Sequence, residues 1–192
     1  STLERSSAAS DVYKRQVTKV LNSIDPSKDV DGFTPSNVGK LFLGEDTLVS
    51  CTPKGIMSIL KSADVNLTGM NVTVIGRSNI VGKPVSILCQ QQNATVTMCH
   101  SKTRDLNAKL ADADVIIVAA GVPKFINGDQ IPNGAVVVDV GIHNIEGKLC
   151  GDVEFKSASK KASAITPVPG GVGPMTVCAL IENTIIAAER SS

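Results

Sequence analysis

Short runs of Val, Ile and other apolar residues recur along the chain after residue 70, each followed by a turn and a stretch of helical length. Such runs, bounded by Gly and polar residues, predict strands that are covered on both faces. The predicted strands are residues 72–75, 96–98, 115–119 and 135–140. Strands alternating with helices predict an α/β domain with a parallel sheet and right-handed crossovers.

Helical spacing of apolar residues predicts the helices around this sheet. Thr52 and Pro53 are typical of a helix start, with a capping side chain followed by Pro, and a last helix is predicted from Pro174 to about Arg190. Between the strands, helices are predicted from about Ile80 to Gln92 and from residue 103 to 112.

The turn after the first strand contains Gly76, Arg77 and Ser78. A strand, a glycine turn and a helix start together form an anion site, because free N–H groups and the helix dipole point at the ligand. Arg77 adds a guanidinium suited to phosphate. The glycine pattern is not the usual dinucleotide one, since Ser78 replaces the second Gly and the third is displaced to Gly82. A tight connection in any α/β domain is the alternative.

Ligands of parallel sheets bind at the carboxyl ends of the strands. The segments expected there are 76–78, 100–102, 121–123 and 141–142. An NAD site usually has an acid after the second strand, whereas this chain has Ser101 and Lys102. Together with Arg77 they favour NADP over NAD. In the alternative interpretation, Lys102 is solvated and Ser101 caps a helix beginning near Thr103.

Residues 166–176 contain three Pro and three Gly. This composition fixes the backbone path and allows close approach of another molecule. We expect a rigid loop facing a flat ligand rather than a linker, because an amphipathic helix follows directly.

Composition excludes several classes of function. Lys and Arg number 19 against 18 Asp and Glu, so the net charge of +1 gives no electrostatic case for nucleic acid or an anionic membrane. Few aromatic residues disfavour base stacking, and no apolar run is expected to span a bilayer. The 42% of hydrophobic residues permits a sizeable core. Residues 1–16 lack periodicity and a signal-peptide pattern, and disorder is expected there.

The five cysteines form no Cys-x-x-Cys pair and are expected to be buried, reduced thiols. No metal site is expected, because His100 and His143 lack matching ligands.

Residues 25–33 are predicted to form a loop. There Asp31, beside Gly32, is either a solvated turn residue, the favoured interpretation from the residues alone, or a carboxylate at a pocket edge.

The combined motifs resemble the bifunctional methylenetetrahydrofolate dehydrogenase/methenyltetrahydrofolate cyclohydrolase family. The matching segments are 28–33, 51–53, 76–84, 95–97 with 100–101, 139–142, 151–153 and 166–176. The resemblance implies NADP-dependent oxidation of methylenetetrahydrofolate and hydrolysis of the methenyl product to formyltetrahydrofolate. It also implies a Rossmann-like cofactor domain, preceded here by the remnant of an α/β catalytic domain.

The resemblance further implies roles for particular residues. Asp31 is the expected catalytic and substrate-binding carboxylate at the pterin ring, and Pro169 and Gly170 are the expected wall against the folate. The expected cofactor contacts are Gly76, Arg77, Ser78, Ser101 and Ile142.

One departure from the family concerns its catalytic Lys, which lies in a Tyr-x-x-x-Lys motif upstream of the Asp31 segment. Here Tyr13 is followed four places later by Val17. We therefore expect an N-terminally truncated chain with its cyclohydrolase activity lost. The expected division is an unrelated segment 1–16, a catalytic remnant 17–60, a cofactor domain 61–176 and a C-terminal helix 177–192 that packs back on the catalytic part.

Two rival functions remain: a non-catalytic NADP-binding fragment and a single-activity NAD-dependent dehydrogenase of the same family. The resemblance implies tetrahydrofolate ligands and a homodimer through the cofactor domain, whose apolar second and third strands permit such pairing. A cytoplasmic location is expected, with a mitochondrion or plastid as alternatives.

Overall fold

The computed structural model describes residue 16 and residues 18–191. The disorder expected for residues 1–16 therefore lies, Gln16 apart, outside the described residues. Residues 18–23 are helical (α1), and the later helices are α2 Pro35–Leu43, α3 Cys51–Ser62, α4 Gly82–Gln91, α5 Leu106–Leu110, α6 Phe155–Ala158 and α7 Val172–Arg190. The strands are β1 Asn71–Ile75, β2 Thr95–Cys99, β3 Val115–Val118, β4 Val136–Asp139, β5 His143–Ile145, β6 Lys148–Cys150 and β7 Ala164–Ile165.

Five strands form one parallel sheet in the order β2-β1-β3-β4-β7. The predicted parallel α/β architecture is therefore confirmed, and the four predicted strands are β1 to β4. The sequence analysis missed β7 and the antiparallel hairpin β5–β6. These strands have two or three residues each, too few to show a period.

The unbroken apolar runs follow from a sheet that is buried on both faces. In β3, Val115 and Ile117 join the core beneath α3 and α4, whereas Ile116 and Val118 join a second core with Leu110 of α5. The central strand β3 therefore supplies both cores, and β1 and β4 do the same through Val74 with Ile75 and Val138 with Val137.

Helix starts differ from the predictions by a few residues. Ser50 rather than Thr52 occupies the cap position of α3, and α7 begins at Val172 rather than Pro174. Pro174 still lies in the first helical turn, where its missing N–H costs little. The chain also forms α2, which was not predicted although Thr34 and Pro35 carry the same cap signature that was recognised at α3.

Helix α7 packs along α3, and Gly55 makes this close contact possible. A Cβ on Gly55 would lie 3.0 Å from the backbone carbonyl of Met175. The proposed division at residue 60 and the separate C-terminal segment remain predictions.

By length and composition alone α7 could cross a membrane, contrary to the expectation from the sequence. An 18-residue window of this helix has a mean hydropathy of 1.2. Core helices of globular proteins meet the same criterion, and the buried side of α7 packs on α3.

The five cysteines differ in burial, and the expectation that all of them are buried is wrong. Cys51, Cys89 and Cys99 are buried, Cys150 is half-buried and Cys178 is exposed on α7. Burial raises the pKa of the Cys89 thiol to about 12, and it also raises the pKa of Cys51 and Cys99.

We expect iodoacetamide at neutral pH to modify Cys178 first, because alkylation needs an accessible thiolate. Mass spectrometry of digested protein would locate the label, and Cys178→Ser should remove the fast phase. Rapid labelling of Cys89 in the folded protein would contradict the burial seen here.

Candidate functional site at the carboxyl edge of the sheet

The turn between β1 and α4 is held very close to the neighbouring strands. Gly76 has φ +124°, and a Cβ there would overlap the carbonyl oxygen of Ala119 after β3. A Cβ on Gly82, at the start of α4, would overlap the oxygen of Gly76. The Gly76 N–H donates to Cys99 O at the end of β2, at 2.9 Å. Three strand ends therefore meet at this turn.

The turn also presents polar groups that are available to a ligand. The Ser78 Oγ accepts the N–H groups of Val81 (3.1 Å) and Gly82 (3.3 Å), but the cap position of α4 is Val81 rather than the predicted Ser78. The Arg77 side chain is exposed. Within the described chain, the backbone N–H groups of Arg77 and Ser78 have no acceptor. These free N–H groups lie in the turn, because the first N–H groups of α4 are bonded to Ser78, and an anion-binding role for the turn remains a prediction.

Ser101 lies at the end of the adjacent strand. Cys99 pairs with Ile75 in register, so the segment after β2 begins beside the Gly76 turn. The Thr103 Oγ1 accepts the N–H of His100 at 2.8 Å, which closes a tight turn and leaves Ser101 and Lys102 exposed. The alternative role of Ser101 as a helix cap is wrong, because Asp105 caps α5.

Two buried carboxylates order the ends of β3 and β4, and the sequence analysis missed both. Asp139 accepts N–H groups from Gly141, Asp152 and Val153 at 2.9–3.0 Å. Burial raises the pKa of Asp139, although these N–H groups act in the opposite direction. Asp152 accepts the N–H of Gly121 and lies 2.6 Å from the His143 Nε2. The signal was available, since an Asp precedes or follows a glycine in both the 139–141 and 151–152 segments.

Ile142 links this edge of the sheet to α7. It is 61% exposed, and its Cδ1 lies 3.4 Å from where a Cβ on Gly173 would stand. The Thr166 Oγ1 accepts the Asp139 N–H at 2.8 Å, which anchors the following Pro- and Gly-rich loop to β4. In that loop Pro169 and Gly170 are exposed.

Asp31 lies on a loop that is packed against the start of α3. Gly32 has φ +67°, and a Cβ there would come within 2.5–2.7 Å of backbone atoms of residues 48–50. The exposed Asp31 carboxylate is 4.0 Å from the Cys51 Sγ. The pKa of the Cys51 thiol is raised, with burial as the largest cause and the negative charge of Asp31 as the next.

Asp29 rather than Asp31 is the structural carboxylate of this loop. It is buried and accepts N–H groups from Phe33 (3.1 Å) and Thr34 (2.7 Å) and from the Asn37 side chain (2.9 Å). Burial alone would raise the pKa of Asp29, but these hydrogen bonds lower it below its usual value. Asp31 is therefore free to face a ligand.

The two loops that carry the folate-side candidates lie beside neighbouring helix starts. The hydroxyls of Thr52 on α3 and Thr176 on α7 are 3.1 Å apart, so the Asp31 loop and the loop that carries Pro169 and Gly170 adjoin the same end of this helix pair. The ligand roles of these residues remain predictions.

Comparison with known proteins decides the family. Residues 50–192 match the sequence model described as "Tetrahydrofolate dehydrogenase/cyclohydrolase, NAD(P)-binding domain". The chain belongs to this family.

Relatives in the family extend the match toward the N-terminus. The Bifunctional protein FolD 2 of Geobacter metallireducens is 59% identical over 173 residues, which are 90% of this chain and 61% of that protein. The chain thus spans about three-fifths of the length of the curated relatives it matches.

Solved structures of the family share the fold. The bifunctional FolD enzyme of Campylobacter jejuni is 49% identical with a TM-score of 0.89, covering 91% of this chain and 63% of that one. The Trypanosoma brucei FolD enzyme, solved with NADP cofactor and inhibitor, is 40% identical with a TM-score of 0.86, covering 91% and 62%. The Rossmann-like cofactor domain expected from the sequence is confirmed.

We expect Gly76→Ala in this tetrahydrofolate dehydrogenase/cyclohydrolase domain to destabilise the fold by about 3 kcal/mol or more, since backbone strain adds to overlap with Ala119. Gly69→Ala is the matched control: Gly69 also has positive φ (+77°), but a Cβ there would meet nothing within 4 Å. Urea unfolding would measure both losses, and equal losses would disprove the close approach.

Proposed function

We propose that the protein to which this chain belongs oxidises 5,10-methylenetetrahydrofolate with NADP⁺ and hydrolyses the methenyl product to 10-formyltetrahydrofolate. The observation that carries this proposal is the meeting, at one sheet edge, of the glycine turn, the Ser101 segment and the loop of residues 166–171 in a chain of this family.

The residues at the Gly76 turn fit a pyridine nucleotide. The unengaged N–H groups of Arg77 and Ser78 suit phosphate oxygens, and the Arg77 guanidinium can bind a 2′-phosphate together with Ser101. An acid at the end of β2 would repel that phosphate, and segment 100–104 contains none. Ile142 offers an exposed apolar side chain between this turn and α7. NADP is therefore the cofactor we favour.

The dehydrogenase step needs mainly alignment. Bound NADP⁺ accepts the hydride, while the adjacent folate nitrogens stabilise the cation that remains. In our proposal Asp31 accepts two parallel N–H bonds from the pterin edge, and Pro169 with Gly170 supports the folate from the other side.

The cyclohydrolase step needs a group that activates water and manages protons on the folate nitrogens. The family Lys that would do so has no counterpart in the printed sequence. Lys54 does not replace it, because its Nζ is 2.9 Å from the Asn183 Oδ1 and 3.1 Å from the Glu182 Oε2.

Homodimerisation through the cofactor domain remains a proposal, with one correction. β3 is buried between β1 and β4, so it is not available for pairing. β2 has β1 as its only partner in the described sheet, and its Met98 is 36% exposed. We therefore assign the pairing surface to β2 alone.

A cytoplasmic location likewise stays a prediction.

Titration with NADP⁺ and NAD⁺ tests the cofactor assignment. Arg77→Ala should weaken NADP⁺ binding by about tenfold or more, the worth of a charge-assisted hydrogen bond, and should affect NAD⁺ less. Arg190→Ala is the control, because Arg190 pairs with Asp46 at the far end of α7. Unchanged NADP⁺ affinity in Arg77→Ala would refute the phosphate assignment, and preferred NAD⁺ binding would support the NAD-dependent alternative.

The purified 192-residue chain should produce no formyltetrahydrofolate above the uncatalysed rate, because it lacks the water-activating Lys. An absorbance assay following loss of methenyltetrahydrofolate, with a full-length relative as positive control, would measure this. Turnover by the chain would show that another group activates water. Dehydrogenase activity in the same preparation would distinguish an enzyme that has lost only its cyclohydrolase activity from a non-catalytic NADP-binding fragment.

A further inference from the structure

Asn183 is a buried amide in the middle of an apolar helix. It is 1% exposed, and no other polar residue of α7 is as deeply buried. Burying an amide is unfavourable unless its hydrogen bonds are made. The hydrogen bonds of the Asn183 amide are all made, and each joins α7 to a residue more than 120 positions earlier in the sequence.

The two amide hydrogens of Asn183 hold two separate loops. Nδ2 donates to the carbonyl of Val30 and to the carbonyl of Val49, each at 2.8 Å. Its Oδ1 accepts from the Lys54 Nζ at 2.9 Å. Val30 immediately precedes Asp31, so one of these bonds fixes the peptide from which the candidate pterin carboxylate projects.

The second loop continues to the cofactor turn. Val49 is followed by Ser50, which is buried and whose Oγ donates to the carbonyl of Ile80 at 2.7 Å. Ile80 follows Arg77 and Ser78 in the β1–α4 turn. The two loops also touch directly, since Gly32 has no room for a Cβ against residues 48–50.

We propose that Asn183 and Ser50 are positioning residues that set the Asp31 carboxylate at a fixed distance from the nucleotide-binding turn. Asn183 clamps the Asp31 loop to the Val49 loop, and Ser50 ties the Val49 loop to Ile80. A change at either contact alters the placement of folate relative to nucleotide without removing a group that touches either ligand. This inference rests on the proposed folate role of Asp31.

The test uses the whole chain and two variants of different severity. Asn183→Leu keeps the branching and the number of side-chain heavy atoms but removes both amide hydrogens and the Oδ1 acceptor, and Ser50→Ala removes one hydroxyl. Thr184→Ala is the matched control, because its hydroxyl bonds only to Leu180 O of its own helix. Asp31→Asn serves as the reference for a direct folate contact.

Two quantities are measured: the affinity for tetrahydrofolate and for NADP⁺ by calorimetry, and amide exchange at Gly32 and Phe33 by NMR. Asn183→Leu should weaken tetrahydrofolate binding by about tenfold, as expected for a lost hydrogen bond, while NADP⁺ affinity stays within about twofold. In the wild type, NADP⁺ should slow exchange at Gly32 and Phe33, and Ser50→Ala should abolish this effect. Thr184→Ala should behave as wild type.

The outcomes separate this inference from the proposed function. If Asp31→Asn weakens tetrahydrofolate binding and Asn183→Leu does not, the positioning role is wrong and the proposed function stands. If the wild type binds no tetrahydrofolate, or Asp31→Asn binds it normally, the folate role of Asp31 fails and amide exchange decides the link to the turn. If Asn183→Leu unfolds, Ser50→Ala decides, and nucleotide-dependent protection that persists in Ser50→Ala overturns the proposal.

Discussion

Close backbone packing around Gly76 is the constraint on which the rest of the site depends. The glycine lies against Ala119 on one side and Gly82 on the other, and its N–H bonds to the end of β2. Only a residue without a Cβ permits this approach. The consequence is that α4 begins beside the end of β1, where the unengaged N–H groups of Arg77 and Ser78 and the exposed Arg77 side chain form the proposed anion site.

Buried polar side chains hold the loops around this turn. Asp29 orders the loop before α2, Asp139 and Asp152 order the segments after β3 and β4, and Asn183 joins two loops to α7. None of them is exposed to a ligand. Each satisfies backbone groups that would otherwise be buried without a partner, and such groups are costly. The exposed side chains of the site therefore stand on a backbone that is rigidly placed.

The two-sided core explains why one sheet supports both parts of the site. Alternate residues of β3 enter opposite cores, so this central strand is covered on both faces. Along the covered face, Gly55 lets α7 approach α3, and this brings the Pro- and Gly-rich loop near the Asp31 loop. The proximity of the Pro- and Gly-rich loop to the Asp31 loop follows from helix packing rather than from the sheet.

The sequence by itself determined the elements whose signals are local. Three features depend on near neighbours along the chain and were predictable from it: the β-branched runs of β1 to β4, the Gly76 turn and the position of the strand ends. The motifs also specified the family. By contrast, the short strands β5 to β7 have no period to detect. β7 forms because β4 provides a partner, and β5 and β6 pair with each other.

Tertiary structure decided what depends on distant contacts. Asp29 and Asp31 both flank Val30 in a polar loop, and only the family resemblance pointed to Asp31. The structure separates them, because Asp29 is buried beside Asn37 and Asp31 is exposed. Asp139 and Asp152 carry a local signal beside glycines, but their hydrogen bonds, like those of Asn183, form only when separate segments of the chain come together. Local chemistry specified the parts of the site, and long-range packing specified their distances.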